Sequence, residues 1–263
     1  MSTILQPTLK STNLLGLNLQ ATSYEDATER ILNWSQVGRS GFVCVANVHM
    51  VMEAYDSHHL QKQINQSLLT VPDGMPLVWL MRRLVNSQQT RVYGPTLMLH
   101  LCAEAARLGV PVGLYGSSPK SIERLKTNLL SRFPALKIAY SFSPPFHSLF
   151  QTEDETIVRN INESGARILF VALGCPKQEQ WMSEHSLVIK PIMIGVGAAF
   201  DFHAGLVRQS PALLQYLGLE WLFRLCMEPR RLWKRYFKHN PRFIILSIAK
   251  YYNHIFYTKN DCG

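Results

Sequence analysis

Short apolar runs alternate along the chain with longer segments in which apolar residues recur every three or four positions. The first pattern is typical of buried strands and the second of amphipathic helices. Strands are predicted at residues 42–46, 68–71, 111–115, 137–142, 167–173 and 191–196. Helices are predicted at about 24–36, 48–56, 58–66, 76–84, 96–108, 119–132, 153–163 and 177–186. This alternation predicts an α/β protein with a Rossmann-like, mainly parallel sheet flanked by helices.

The pattern changes after Ser210-Pro211, a plausible cap and first helical residue, into helical segments rich in aromatic and basic residues. From Arg224 to Lys259 there are nine Lys or Arg residues against one acid, Glu228. We therefore expect an α/β catalytic domain at residues 1–207, with a candidate boundary between two lobes at 86–95. Residues 208–263 are expected to form a helical, basic appendage.

Composition indicates a folded protein that meets an anionic partner. The 263 residues are 47% apolar and 17% charged, and the net charge is +9. Nucleic acid, a membrane surface or a phosphorylated substrate would each suit that charge. The five cysteines form no C-x-x-C pair, so neither a disulfide framework nor a zinc site is expected. With no signal peptide or membrane-spanning run in the sequence, a cytoplasmic location is expected.

Polar residues and glycines follow most of the predicted strands. Ligands of parallel sheets bind beyond the carboxyl ends of the strands, so these residues are expected to share one surface. Several of the junctions also open onto a helix N-terminus, whose N–H groups suit a phosphate. Turn formation and a solvated first helical turn are simpler explanations for some of them. The candidates are Asn47, Asp73, Gly116, Ser117, Gly174, Lys177, Gln178, Gly197 and Asp201.

Asp73 has two properties that the other candidates lack. It is the only carboxylate between Asp56 and Glu104. With Pro76 at the first helical position the cap would be Met75, so Asp73 is not placed as a conventional N-cap. A carboxylate at a strand end within apolar sequence can gain basicity through desolvation and act as a general base. Turn formation by the Pro-Asp-Gly sequence accounts for the residue equally well.

Several other chemistries are not favoured. The G-x-G at residues 195–197 lacks the third glycine of a dinucleotide fingerprint. Asp201 and His203 are only two potential metal ligands, and there is no D-x-D pair, so no metal is expected. Cys175 has no histidine at an obvious partner spacing and is expected to fill a turn. Surface or helix-packing positions are expected for His49, His58 and His59.

Six segments in this order resemble the WecG/TagA/CpsF family of bacterial glycosyltransferases. They are "ANVHMVMEA" (46–54), "VPDGMPLVW" (71–79), "LYGSS" (114–118), "LGCPKQEQWM" (173–182), "GVGAAFDFHAG" (195–205) and "LGLEWLFRLCMEPRRLWKRY" (217–236). The resemblance spans about residues 15–240. It implies transfer of N-acetylmannosamine or its uronic acid from a UDP donor to N-acetylglucosamine on a polyprenyl diphosphate lipid, for teichoic-acid-type or other surface polysaccharides.

The resemblance also implies roles for individual residues. Asp73 matches the proposed catalytic base, Asn47 a substrate-pocket residue, and Gln178 a residue near the donor. The appendage is similar to one that docks on the membrane and supplies arginines to the site. Many relatives have threonine where this chain has Val45, which removes any hydroxyl contact from that position. Transfer of donor or acceptor preference is therefore not implied.

Together these observations give a mechanistic hypothesis. The UDP diphosphate would lie against helix N-termini near Ser117 and Lys177, and Arg230 or Arg231 would close over it without a metal or cofactor. Asp73 would take the proton of the acceptor hydroxyl in one inverting displacement. The protein would act at the inner face of the plasma membrane, as a monomer or a homo-oligomer. The alternatives are a UDP-glucose or UDP-glucuronate donor, or a non-catalytic nucleic-acid-binding protein that uses the basic appendage.

Overall fold

The computed structural model describes residues 8–145 and 151–260. Its strands are β1 (Ser11–Leu14), β2 (Leu17–Gln20), β3 (Gly41–Ala46), β4 (Leu69–Pro72), β5 (Val112–Gly116), β6 (Ile138–Phe142), β7 (Ile168–Ala172) and β8 (Ile192–Gly195). Its helices are α1 (Tyr24–Gln36), α2 (Val48–Asp56), α3 (His58–Asn65), α4 (Met75–Leu84), α5 (Gly94–Leu108), α6 (Pro119–Arg132), α7 (Gln151–Glu163), α8 (Lys177–Glu184), α9 (Ala199–His203), α10 (Ala212–Tyr216), α11 (Glu220–Met227) and α12 (Pro229–Asn260).

The central sheet confirms the predicted fold class. Six strands pair in the order β4-β3-β8-β7-β5-β6, and every pairing is parallel. The strands that precede and follow residues 86–95, β4 and β5, belong to this one sheet. Helices cover both of its faces, as expected for a parallel sheet built from crossover connections. The carboxyl ends of all six strands consequently lie at one edge.

Apolar side chains fill a core on each face of the sheet. Alternate residues of β3 point to opposite faces: Val43 and Val45 enter one core, and Phe42 and Cys44 enter the other. All six residues of β3 are buried. Burial on both faces explains why this strand is continuously apolar instead of alternating with polar residues.

A two-stranded hairpin near the N-terminus was not predicted. Strands β1 and β2 pair in an antiparallel register around Leu15 and Gly16, both of which have positive φ. Two positive φ values are characteristic of the tight turn that matches strand twist, but Leu-Gly is a weaker signal for it than Asn-Gly. The Gln20 side chain accepts a hydrogen bond from the Thr70 amide and ties the hairpin to β4.

The starts of three helices depend on local chemistry. Ser118 caps α6 through a hydrogen bond from the Ser121 amide, with Pro119 at the first helical position as predicted. Helix α4 begins one residue earlier than expected, so Gly74 and not Met75 is the cap. Helix α10 begins one residue later than expected, which makes Pro211 its cap instead of its first residue. In each case Pro lies within the first turn or at the cap, where its missing N–H costs little.

The appendage predicted at residues 208–263 contains helices α10, α11 and α12. Helix α12 lies against α2, and Asp56 forms ion pairs there with Lys238 and Arg242, at 3.1 and 2.7 Å. His239 of α12 contacts Glu53 of α2 at 3.0 Å. Among the described residues, no helix combines the length and the apolar character needed to cross a bilayer.

Replacing Gly116 by alanine is expected to destabilise the protein by roughly 2–3 kcal/mol. Gly116 has φ of 117°, and an added Cβ would lie 2.5 Å from the Ala172 carbonyl oxygen of the neighbouring strand. Gly165→Ala is the matched control, because that glycine also has positive φ but no atom within 4 Å of the added Cβ. It should cost only the backbone term, about 1 kcal/mol. If urea unfolding gave equal losses of unfolding free energy for the two variants, a clash at Gly116 would not be the cause.

Candidate active site

A cavity of about 710 Å³ lies at the carboxyl edge of the sheet, beneath the appendage. Loops that follow β3, β4, β5, β7 and β8 form its floor, and residues of α11 and α12 form the opposite wall. Its position agrees with the general location of ligand sites in parallel sheets. The predicted residues that line it are Asn47, Asp73, Ser117, Gly174, Gln178, Gly197, Asp201 and Arg231.

Three predicted site residues do not line this cavity. Gly116 is buried at the end of β5, where it permits close approach to β7. Lys177 is exposed at the first position of α8 and does not line the cavity, although the next two residues of that helix, Gln178 and Glu179, do. Arg230 is exposed at the start of α12. The pattern identified the correct loops and helix starts, but side-chain direction depends on packing.

The Asp73 carboxylate lies at the end of β4, with its side chain 13% exposed. The backbone N–H groups of Asp73 and Gly74 both donate to the Ala46 carbonyl of β3, which fixes the turn. Burial raises the pKa of Asp73, Arg91 lowers it and Glu220 raises it, and the net result is a pKa of about 6. A carboxyl group of this kind is ionised near neutral pH and is a stronger base than an exposed aspartate.

Arg91 organises the surroundings of Asp73, and the sequence reasoning did not select it. Its guanidinium donates to the Asp73 carboxylate at 2.7 Å, to Glu220 at 2.6 Å and to the Gln215 side chain at 3.3 Å. It also lies 4.0 Å from the centre of the Tyr93 ring. The only local signal was a single arginine within the segment 86–95.

Asn47 has a structural role and also lines the cavity. Its side-chain oxygen accepts from the Met50 amide at 3.2 Å and caps α2. Its Cα would lie 3.4 Å from a Cβ placed on Gly74, so Asn47 packs directly against the loop that carries Asp73. The oxygen is committed to the cap, which leaves the amide nitrogen as the group suited to bind a ligand.

Gln178 is a buried connector between two of the loops around the cavity. Its side-chain oxygen accepts from the Gly197 amide at 3.0 Å, and its nitrogen donates to Glu179 at 2.8 Å. A Cβ on Gly195 would lie 2.4 Å from that nitrogen, so the contact requires glycine at the end of β8. The geometry gives Gln178 a positioning role in addition to its place in the cavity wall.

Glu179 is fully buried beside Gln178, and sequence reasoning missed it as well. Burial raises its pKa to about 7. Within residues 8–145 and 151–260, one of its carboxyl oxygens, Oε2, has no hydrogen-bond partner. Cys175, which lies close by, has its pKa raised well above the usual range by burial, so the thiol is unsuited to nucleophilic attack at neutral pH.

Ser117 and Asp201 form a polar cluster on the floor of the cavity. One Asp201 oxygen accepts from the hydroxyls of Ser117 and Ser121, at 2.9 and 2.6 Å. Ser117 has a positive φ of 57°, which is uncommon outside glycine and orients the loop after β5. The ring of His203 contacts the Pro95 carbonyl at 2.8 Å. These contacts give Asp201 and His203 partners within the protein.

Two arginines of the appendage line the cavity in addition to the predicted Arg231. The Nε atoms of Arg224 and Arg235 are buried and have no hydrogen-bond partner among the residues that the structure describes. Burial lowers the pKa of Arg235. Arg231 by contrast is 62% exposed and is paired with Glu228 at 2.5 Å. Arg224 and Arg235 are both among the nine basic residues of the C-terminal segment, but only tertiary packing shows which of the nine line the cavity.

Three potential ligand atoms of His49, Glu53 and His239 lie within 4.8 Å of one another near the wall of the cavity. Burial lowers the pKa of His49 to about 3, so this ring is neutral near pH 7. Of the three histidines expected at the surface or in packing, His58 and His59 are exposed, and His49 packs against His239 with ring centres 5.1 Å apart. The contact between His239 and Glu53 accounts for the cluster as a link between α12 and α2.

The fold and the cavity define an α/β enzyme with a buried carboxylate and inward-facing arginines at the edge of a parallel sheet. The model of the glycosyl transferase WecG/TagA/CpsF family matches residues 12–255, so the chain belongs to that family and is a glycosyltransferase. It is 29% identical over 241 residues to the N-acetylglucosaminyldiphosphoundecaprenol N-acetyl-beta-D-mannosaminyltransferase of Bacillus subtilis (strain 168), covering 91% of this chain and 87% of that protein. The identically named protein of Staphylococcus aureus (strain MW2) is 29% identical over 227 residues, covering 85% of each chain.

Glu179→Gln is expected to stabilise the protein above pH 7 by on the order of 2–3 kcal/mol. Because the folded-state pKa is raised to about 7, the folded protein holds this proton more tightly than the unfolded chain. Stability attributable to Glu179 is therefore highest below about pH 4 and is lost as the pH rises toward 7. Urea unfolding at pH 4 and pH 8 should give a difference between variant and wild type only at pH 8.

Glu184→Gln is the control, because Glu184 lies exposed on the same helix. It should leave the free energy of unfolding unchanged at both pH values. An equal effect of Glu179→Gln at pH 4 and pH 8 would show that the change acts through packing and not through ionisation.

Proposed function

We propose that this enzyme transfers N-acetylmannosamine, or a closely related sugar, from a UDP donor to N-acetylglucosamine carried on a polyprenyl diphosphate lipid. The observation that carries the proposal is the buried Asp73 carboxylate in a cavity with Arg224 and Arg235 on its opposite wall. The names of the two relatives supply the sugar and the acceptor. The product would enter a surface polysaccharide or teichoic-acid-type polymer.

Asp73 serves as the general base of a single inverting displacement. Its carboxylate takes the proton of the acceptor hydroxyl while that oxygen forms a bond to the anomeric carbon of the donor sugar. The bond from that carbon to the diphosphate breaks at the same time, and UDP leaves with the electron pair. The pKa of Asp73, about 6, suits this role because the group is ionised near pH 7 and still binds a proton appreciably.

Arg224 and Arg235 stabilise the negative charge of the departing diphosphate. Buried guanidinium groups without a carboxylate partner are costly, and a bound phosphate would supply the missing hydrogen bonds. Arg231 at the rim exchanges its contact with Glu228 for the same anion. Charge from three arginines supports a reaction that needs neither a metal nor a cofactor.

Asn47 and the polar cluster of Ser117 and Asp201 bind the sugar and the nucleotide. The Asn47 amide nitrogen lies beside the loop of Asp73, which suits a contact with a sugar hydroxyl close to the reacting centre. The loops of Gly174 and Gly197, held together through Gln178, let the nucleotide approach the backbone. UDP-glucose and UDP-glucuronate remain alternative donors, because Val45 offers no hydroxyl to select among sugars.

The appendage brings the cavity to a membrane surface. Trp233, Phe237, Ile244 and Ile248 are spaced along one face of α12 and are 48, 72, 56 and 51% exposed. Basic residues beside this stripe, including Lys234, suit anionic headgroups, each contributing about 1 kcal/mol near the surface. A lipid-linked acceptor would then enter the cavity from the bilayer side, at the inner face of the plasma membrane. A nucleic-acid role for the same basic residues leaves the inward arginines and Asp73 without a purpose.

The donor is tested by incubating the enzyme with a short-chain polyprenyl diphosphate N-acetylglucosamine acceptor and a panel of UDP-sugars, with and without EDTA. Mass spectrometry of the lipid should show addition of one N-acetylhexosamine from UDP-N-acetylmannosamine in both conditions. Transfer only from UDP-glucose or UDP-glucuronate would favour the alternative donors. Loss of transfer in EDTA, restored by a divalent cation, would contradict metal-independent catalysis.

Asp73→Asn is expected to lower the rate of sugar transfer by at least about 100-fold, because the amide cannot accept the proton. The change keeps the size of the side chain, and Arg91 retains its ion pair with Glu220. The thermal unfolding midpoint should therefore change little, and UDP binding measured by calorimetry should persist. Near wild-type transfer by a folded variant would show that Asp73 is not the base.

Replacing Trp233, Phe237 and Ile248 together by serine is expected to reduce flotation with vesicles rich in anionic lipid by at least about tenfold. Each side chain loses roughly 1.5 kcal/mol or more of burial in the interface. The matched control replaces Val37, Leu187 and Val188 by serine, which are at least as exposed but lie outside the appendage. Equal flotation of the two triple variants would argue against docking through α12.

A further inference from the structure

Arg91 connects the catalytic domain to the appendage through one guanidinium group. A single nitrogen, Nη2, donates to the Asp73 carboxylate at 2.7 Å and to the Glu220 carboxylate at 2.6 Å. Nη1 donates to Gln215 at 3.3 Å. Gln215 belongs to α10 and Glu220 to α11, so both contacts form only when the appendage is docked. The side chains of Arg91, Asp73 and Glu220 are 15, 13 and 15% exposed, so water screens these charges weakly.

The two carboxylates compete for the same positive charge. Their oxygens lie within roughly 5 Å of each other, because both accept from the two hydrogens of one nitrogen. A carboxylate paired alone with a buried arginine is held ionised and binds protons poorly, which makes it a weak base. A second carboxylate at the same arginine offsets that effect. The pKa shifts of Asp73 agree with this competition, since Arg91 lowers its pKa and Glu220 raises it.

We propose that Glu220 is a positioning residue that shares Arg91 with Asp73, so that docking of the appendage sets the strength of the catalytic base. When the appendage is undocked, Arg91 pairs with Asp73 alone and the carboxylate is a poor proton acceptor. When α11 docks, Glu220 takes part of the guanidinium charge and Asp73 becomes competent. The enzyme is therefore fully active only in the arrangement that also places Arg224 and Arg235 at the cavity. This inference rests on the proposed role of Asp73 as the base.

Other groups near Asp73, Arg91 and Glu220 do not account for the effect of Glu220 on the basicity of Asp73. The Tyr93 hydroxyl donates to Glu220 at 3.3 Å, and burial raises the pKa of Tyr93 well above its usual range, so it carries no charge. Tyr24 contacts the Tyr93 backbone and also has its pKa raised by burial. The Gly94 amide donates weakly to Asp73 at 3.5 Å. The charge of Arg224, in the appendage, lowers the pKa of Tyr93. A substitution at Glu220 leaves this arginine in place.

The test compares the pH dependence of kcat/KM for the wild type and for Glu220→Gln in the full-length protein. The acidic limb of the wild-type profile should lie near pH 6, with activity rising as Asp73 loses its proton. In Glu220→Gln it should move to lower pH by about one unit, because Arg91 then pairs with Asp73 alone. The plateau above pH 7 should fall roughly threefold, as expected for a weaker base. Glu220→Asp, which keeps the charge, should restore the limb toward pH 6.

Asp56→Asn is the matched control. Asp56 also loses one negative charge and also ties the appendage to the catalytic domain, through Lys238 and Arg242, but it does not contact Arg91. Its acidic limb should stay at the wild-type position. An equal shift in Asp56→Asn and Glu220→Gln would overturn the proposal, because general loosening of the appendage would then explain both.

Direct titration of the Asp73 carboxyl by carbon-13 NMR separates this inference from the proposed function. A lower Asp73 pKa in Glu220→Gln supports the coupling even if Asp73→Asn proves active, in which case the base assignment fails alone. An unchanged Asp73 pKa in a folded Glu220→Gln variant overturns the coupling even if Asp73→Asn is inactive. If Glu220→Gln does not fold, Glu220→Ala is titrated in its place, with Gln215→Ala as the control. A lowered Asp73 pKa in Glu220→Ala alone supports the coupling, and an unchanged one overturns it.

Discussion

The ionised contact between Asp73 and Arg91 is the constraint on which the rest of the site depends. The carboxylate lies at a strand end where little water reaches it, so its charge is stable only next to a compensating group. Arg91 supplies that group from the segment between α4 and α5, and it holds the Asp73 backbone carbonyl as well, at 2.5 Å. A buried acid with a full salt bridge would be a weak base, and the second carboxylate at Arg91, Glu220, raises the pKa of Asp73, as the proposed proton transfer requires.

The appendage completes the cavity instead of simply covering it. Its contacts with the catalytic domain include ion pairs, of Glu220 with Arg91 and of Arg242 and Lys238 with Asp56. They also include apolar packing, since Phe243 belongs to one core of the sheet. Two of its arginines, Arg224 and Arg235, line the cavity, and their Nε atoms have no hydrogen-bond partner among the described residues. Its apolar stripe is exposed. The same helices thus present positive charge to the cavity and apolar side chains to the surroundings, an arrangement that suits the proposed reaction with a lipid-linked diphosphate.

Much of the catalytic domain follows from local patterns. The six strands of the sheet fall where the apolar runs placed them, because burial on both faces requires continuous apolar residues. The loops around the cavity were also predictable, since the carboxyl ends of parallel strands share one edge. The hairpin of β1 and β2 was missed, because its Leu15-Gly16 turn lacks the usual residues. Lys177 and Arg230 were predicted at the site because of their neighbours in sequence, but neither lines the cavity.

The sequence by itself determined the fold class, the loops that carry the polar residues, and membership of a glycosyltransferase family. Each of these depends on short-range periodicity or on residues that are close along the chain. Only the tertiary structure decided which charges meet: Arg91 and Glu220 are 129 positions apart, and Asp73 appeared to be without a neighbouring carboxylate. The physical reason is that an ion pair between distant residues depends on how whole helices and strands pack. A local sequence pattern does not determine which helix packs against which strand end.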